Sequence, residues 1–154
     1  MTTIDELEAK RQVSELIDRY ATSYNRRDWK TVFNCFLPEV TFVETAPLNI
    51  TINNLEEYKR VDHDAQMKAW VLLMSSRVII VEGDTAHATV MVHETGHTLN
   101  DEDMDVVGMY EQRIVRRDGA WYFAQILFHP LVLRLPASFT TVVEGSSPIG
   151  TRWP

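Results

Sequence analysis

Four long runs rich in β-branched and aromatic residues fill the second half of the chain: Val71 to Val81, Thr85 to Thr95, Val106 to Val115 and Trp121 to Phe128. Between them stand only Glu82-Gly83-Asp84, the acidic stretch Leu99 to Asp105, and Asp118-Gly119. Segments of this composition fit a pleated surface, and Asp-Gly between two of them is a strong hairpin signal. Strands joined by turns this short must run antiparallel. A strand meander preceded by helices implies an α+β chain, with the helices covering one face of a strongly curved antiparallel sheet.

The helices announce themselves by caps and spacing. Thr3 with Glu6 is a capping box, and Ile4, Leu7, Val13, Leu16, Ile17, Tyr20 and Tyr24 mark one apolar stripe to about Tyr24. Asp28 caps a shorter helix, Trp29 to Phe36, which Pro38 closes. Val40 to Thr45 alternates like a first strand. Asn54 with Glu57 opens a third helix running to about Trp70, with Leu55, Tyr58, Val61 and Ala65 inward. A domain over 1–135 is expected, followed by a Ser/Thr/Gly/Pro-rich tail over 136–154 that wanders over a neighbour or over the mouth of a pocket.

Composition narrows the function classes. A length of 154 residues is enough for one core without disulfides or metal, and the single cysteine, Cys35, reads as a small buried hydrophobe between Phe33 and Phe36. The net charge of −7, without a basic stripe, argues against nucleic acid. The charged start MTTIDELEAKRQ has no apolar segment and no run reaches membrane-spanning length, so a cytoplasmic protein is expected.

Chemistry-bearing residues emerge from the same patterns. Tyr20 and Tyr24 share a helical face with Val13 and Ile17, so their phenols reach the interior and need polar company there. Glu44 lies in line with Val40 and Phe42, which leans it toward an interior. Glu111, mid-strand and on the same face as Met109, would be desolvated and poised as a general acid or base if that face is concave; outward, it pairs with Arg113 or a cross-strand arginine. Ala88, Val90 and Val92 make the buried face of their strand, so strict alternation turns Glu94 inward and His93 outward, unless a bulge near Gly96 changes the parity. His93 and His97 would lie about 13 Å apart on a strand and are no metal pair. His129 reads as a structural hydrogen-bonder at a strand's exit. Asp62, His63 and Asp64 diverge around a helix and read as solvated, and Asp101 to Asp105 lacks the pattern of a calcium loop. No metal site is expected. Trp70, Trp121, Phe123 and Phe128 offer apolar area to a flat ligand, and Trp121, Phe123 and Leu127 would form an outer patch for a second copy.

The order helix, short helix, strand, helix and meander, with Ser23-Tyr24-Asn25-Arg26-Arg27-Asp28-Trp29, Pro38-Glu39-Val40-Thr41-Phe42, Val81-Glu82-Gly83-Asp84-Thr85-Ala86 and Arg117-Asp118-Gly119-Ala120-Trp121, resembles the nuclear-transport-factor-2-like (NTF2-like) superfamily over about residues 5–130. Within it, the chain is most similar to the SnoaL-like and scytalone-dehydratase-like group. The resemblance implies a cone-shaped sheet covered by three N-terminal helices. It also implies a pocket histidine on the strand that holds His93.

The chain departs from these relatives at telling places. The aspartate that follows the helix-ending tyrosine in scytalone-dehydratase-like enzymes is Asn25 here, and the place of their histidine falls among Leu72, Leu73, Met74 and Ser75. Against ketosteroid-isomerase-like relatives, Tyr20 matches the pocket tyrosine and Glu111 the buried strand acid, while the general base falls on Thr45 beside Glu44.

The expectation is therefore an acid–base enzyme without metal or organic cofactor: a dehydratase, cyclase or isomerase acting on a hydrophobic cyclic molecule such as a polyketide or terpenoid intermediate. Glu111, Glu44, His93 and Tyr24 are its catalytic candidates. Tyr20, Asn25, Thr45, Glu94, Met109 and Phe128 are its substrate-binding candidates. The alternatives are a non-catalytic small-molecule-binding or assembly module of the same fold, and a small subunit like those of ring-hydroxylating oxygenases. A homodimer or higher homo-oligomer is expected.

Overall fold

The computed structural model describes residues 3–61, 67–136, 140–141 and 149–150. Helix α1 spans Ile4–Asn25, with the Thr3 hydroxyl accepting from the Glu6 amide at 3.1 Å. Its buried stripe, Ala9, Val13, Leu16, Ile17, Tyr20 and Tyr24, follows the spacing of one helical face. Helix α2 is short, Trp29–Phe33, capped by Asp28. Strand β1, Phe36–Glu44, starts earlier than its alternation suggested; Pro38 falls inside it where pairing with the neighbouring strand is interrupted between Phe36 and Thr41. An irregularity of this kind tolerates a residue that cannot donate to the ladder.

A short strand β2, Ile50–Ile52, and helix α3, Leu55–Lys59, follow. Asn54 caps α3 as expected, and Leu55 and Tyr58 are buried. The helix does not continue to Trp70, because Arg60 is its C-cap and the chain is already extended at Met67. Ala65, Asp62, His63 and Asp64 lie outside the described residues, as does most of the expected tail.

The meander then runs through β3 (Met67–Glu82), β4 (Thr85–Thr98), β5 (Asp103–Arg117) and β6 (Ala120–Arg134). The six-stranded sheet has the order β2-β1-β6-β5-β4-β3; β1 and β6 are parallel and the other pairs antiparallel. Two-residue segments β7 (Thr140–Thr141) and β8 (Ile149–Gly150) pair with each other. In the tight turn between β5 and β6, Asp118 and Gly119 have φ of 51° and 79°, the left-handed conformation that an Asp-Gly hairpin supplies.

The main sheet is open and curved, and breaks in register mark where it bends. One lies in β3 between Ser75 and Val78, another in β6, where Ala124 is the extra residue between the partners of Arg113 and Ile114. The β6 bulge flips parity: Trp121 and Phe123 face inward before it, Ile126 and Phe128 after it. Trp121 and Phe123 are therefore core residues, 4% and 0% exposed, and do not form the expected outer patch with Leu127.

Polar clasps tie the helices over the concave face. Arg77 donates to the Ser14 carbonyl and hydroxyl and to Asp18. Asn25 accepts from the Leu72 amide at 2.7 Å and donates to its carbonyl at 2.8 Å. Arg27 donates to the Tyr24 and Trp70 carbonyls. Among the described residues no helix is long and apolar enough to cross a membrane.

Candidate functional site

Side chains on the concave face form successive rows across the strands. Glu94 of β4 stands at one end, and the next rows hold Val92 with Gly108, then Val90, Tyr110, Phe128 and Glu44 in mutual register. Gly108 permits this packing. A Cβ there would lie 2.3 Å from the Phe128 ring, which instead crosses β5 and meets Tyr110 edge-on at 5.4 Å. Gly96 has the same use at the mouth, since a Cβ would lie 2.6 Å from that of Trp70. The absence of a side chain there brings Trp70 in over Tyr24, with ring centroids 4.9 Å apart.

Tyr20 and Tyr24 of α1 and Tyr58 near the end of α3 close over these rows. Tyr58 stacks flat on Phe42 at 4.1 Å, and Tyr20 packs edge-on against Phe36 and Phe123. These rings form one aromatic wall of about a single face of the cone, and their hydroxyl groups act on one another.

Glu44 and Glu94 are only partly covered, so both border open space. Yet they sit deep enough that loss of hydration pushes each carboxyl up to about 7. For Glu94 the nearby Glu44 charge raises it further, and Arg27 opposes that rise. Tyr110 and Tyr58 respond to both carboxylates, Tyr24 to Glu94. The two acids and the phenols thus lie within electrostatic reach of one another. Burial holds the phenols of Tyr20, Tyr24, Tyr58 and Tyr110 above their usual range, so all four remain hydrogen-bond donors at neutral pH. Among the described residues neither Glu44 nor Glu94 is in an ion-pair contact, and no three His, Cys, Asp or Glu side chains gather as metal ligands.

Arg27 supplies the cation. Its φ of 58° is unusual for a residue with a side chain, and the guanidinium lies 4.7 Å from the Trp70 ring centroid while bonding two backbone carbonyls. Spacing could not reveal this, because the contact depends on the left-handed turn after α1. Tyr58 and Tyr110 were also missed as site residues; for Tyr110 the signal was parity with Gly108 and Gln112.

Of the expected site residues, Glu44, Glu94, Tyr20, Tyr24 and Phe128 come together. Glu111 and Met109 do not. They occupy the opposite, convex face, because Met104, Val106, Gly108, Tyr110, Gln112 and Ile114 are the inward set of β5. The Glu111 carboxylate is 56% exposed and 3.5 Å from His129 Nε2. His93 also points outward, with Nε2 2.5 Å from the Asp105 carboxylate, since the register of β4 with β5 is unbroken through His97 and no bulge changes parity near Gly96. Asn25 is committed to the Leu72 backbone, and the Thr45 hydroxyl donates to the Phe128 carbonyl at 3.2 Å, so both are structural links at the rim. Cys35 is buried, its thiol pushed up by burial.

Comparisons with known proteins agree with this architecture. A scytalone dehydratase-like protein from Novosphingobium aromaticivorans superposes with a TM-score of 0.76 at 14% identity, covering 92% of this chain and 96% of that one. The hexachlorocyclohexane dehydrochlorinase LinA-type3 from Novosphingobium barchaimii gives 0.74 at 13%, covering 88% and 95%. An NTF2-like superfamily protein from Salmonella enterica gives 0.70 at 18%, covering 80% and 91%. At these identities the likeness establishes the fold. No match was found among curated proteins. The SnoaL-like domain model matches residues 5–126, and with the NTF2-like architecture around it the chain belongs to the SnoaL-like domain family.

Proposed function

We propose that the protein is an acid–base enzyme of the lyase or isomerase type, acting on a hydrophobic cyclic molecule that carries a carbonyl. The observation that carries this is the pair Glu44 and Glu94 on the concave side, two carboxyls each raised to about 7 by loss of hydration and near enough that the Glu44 charge raises Glu94. A group at that value divides between base and acid at neutral pH, which suits it to removing a proton and returning it. Glu44 removes a proton next to the carbonyl. The Tyr58 and Tyr110 hydroxyls donate to the oxygen on which enolate charge develops, and the protonated fraction of Glu94, enlarged by burial and by the Glu44 charge, returns the proton or protonates a leaving hydroxyl. Loss of water, a double-bond shift or ring closure each follow from that enolate. The dehydratase- and dehydrochlorinase-named structures are elimination enzymes by name, which supports the same reaction class. Asn25 makes the chemistry of this chain depend on other acids than the one its scytalone-dehydratase-like relatives use.

The test needs no natural substrate. In D₂O, the chain should accelerate exchange of the α-protons of 2-tetralone, followed by NMR, and Glu44→Gln should lower that rate by about 10²-fold or more. No acceleration, or acceleration indifferent to both Glu44→Gln and Glu94→Gln, would overturn the proposal. A second reading, a binding module, is favoured by one observation: Asn25 and Thr45 are tied to backbone groups where relatives hold ionisable ones. It predicts that 2-tetralone binds without exchange.

A further inference from the structure

The convex face holds a cleft of about 190 Å³ among the outward side chains of β4, β5 and β6. Its walls are two successive rows of the sheet. His87, Arg113 and Gln125 stand side by side in one, and Thr89, Glu111 and Leu127 in the next. Neighbours within a row lie about 5 Å apart, and the rows about 7 Å apart. The volume is below the roughly 300–1,000 Å³ of sites for drug-sized molecules, so the occupant is small.

Charge pairing elsewhere on the strands sets the first row apart. Arg77, Arg116, Arg117 and Arg134 each meet a carboxylate, as do His93, His97 and His129. Among the described residues, His87, Arg113 and Gln125 have no ion-pair or hydrogen-bond partner. Glu111 is two residues from Arg113 on the same face, yet it does not close onto that guanidinium. Its carboxylate lies 3.5 Å from Nε2 of His129, which stands in the following row, away from Arg113. A guanidinium and a carboxylate left apart across a small cleft are complementary to a molecule that carries both charges itself.

We propose that this cleft binds a compact zwitterion, an α-amino acid, with its carboxylate on Arg113 and its ammonium on Glu111. His87 and Gln125 flank the guanidinium and can donate to the same carboxylate. Two charge-assisted hydrogen bonds of about 2.8 Å, with the short span of an amino acid's charged ends between them, come close to the spacing of the two rows. Leu127 and Thr89 receive the side chain, which favours an apolar one. A simple carboxylate would set an anion against Glu111, and a simple amine would leave Arg113 unpaired. The site lies on the opposite face of the sheet from Glu44 and Glu94 and does not depend on their chemistry.

The test is an NMR titration of the isotopically labelled chain with L-leucine, N-acetyl-L-leucine, which lacks the ammonium, and L-leucinamide, which lacks the carboxylate. L-leucine should give saturable shifts centred on the amides of His87, Thr89, Arg113 and Gln125, with a Kd of about 1 mM or below. Each capped analogue should bind about ten-fold more weakly or worse, the loss expected for one charge-assisted hydrogen bond. Arg113→Gln and Glu111→Gln should each weaken L-leucine by about the same factor, while urea unfolding is unchanged and 2-tetralone exchange stays within about two-fold. The assignment is overturned if L-leucine gives no saturable shifts up to about 20 mM, if both capped analogues bind as well as L-leucine, or if both variants keep the natural affinity. Shifts confined to the concave face would also overturn it.

Discussion

Glu94 and His93 are adjacent on one strand, as are Tyr110 and Glu111 on the next, and the pleat sends each pair to opposite sides of the same sheet. On the convex side, His93 meets Asp105, and the Glu111 carboxylate stays half in water near His129. On the concave side, Glu94 and Tyr110 are desolvated and feel the Glu44 charge. The convex groups are conventional proton carriers by residue type, yet water screens them. The concave acids are set apart by the loss of hydration that raises both of them. Candidate chemistry in this fold is decided by which face a residue occupies before it is decided by residue type.

That contrast is easiest to break by substitution. Glu44→Gln or Glu94→Gln should lower tetralone exchange by about 10²-fold or more, whereas Glu111→Gln should leave it within about two-fold. Equal losses on both faces would erase the distinction.

Stability against pH sharpens it further. Glu44 and Glu94 are raised from 4.5 to about 7 in the folded chain, so the folded form keeps protons that the unfolded form has released. Their contribution is full below about pH 4.5, falls as pH rises through about 7, and levels off above. The ceiling per group is on the order of 3 kcal/mol. Glu44→Gln removes the charge that must be buried, so by urea unfolding it should be more stable than the natural chain at pH 8 and nearly equal to it at pH 4.5. A constant difference across that range would contradict the account.

Smaller effects follow at the rim and outside. Asn25→Asp restores the acid that relatives carry but sets a carboxylate against the Leu72 carbonyl and removes a donor, and should cost about 1–3 kcal/mol in urea unfolding. His93→Gln breaks a partly exposed pair with Asp105 and should change stability by no more than about 1 kcal/mol, without altering exchange.

Much of this was legible in the residues. Thr3, Asp28 and Asn54 cap helices as expected, and the meander follows from four strand runs and their turns. Glu94 and Glu44 were readable as inward because their alternation partners, Ala88, Val90 and Val92 in one strand and Val40 and Phe42 in the other, are all apolar, whereas the opposite sides mix in His87, Thr89 and His93 or Thr41 and Thr45. Glu111 was not, because Val107 and Met109 make the outward side of β5 about as apolar as its inward side. Trp121 and Phe123 were misplaced by a single bulged residue, Ala124, which leaves no mark in composition. The third helix ended early because Arg60 caps it, although apolar spacing continued past it. Arg27 depended on a left-handed turn and a tertiary contact with Trp70, which no local pattern encodes.

The central claim is most directly tested by carboxyl-carbon NMR titration of the isotopically labelled chain, with Glu44→Gln and Glu94→Gln used to assign the two resonances. Both side chains should titrate near 7, and Glu44→Gln should lower the Glu94 midpoint by removing the facing charge. Midpoints between 4 and 5 for both, unchanged in the variants, would mean that water reaches these carboxylates freely and that the concave face confers no acid–base chemistry.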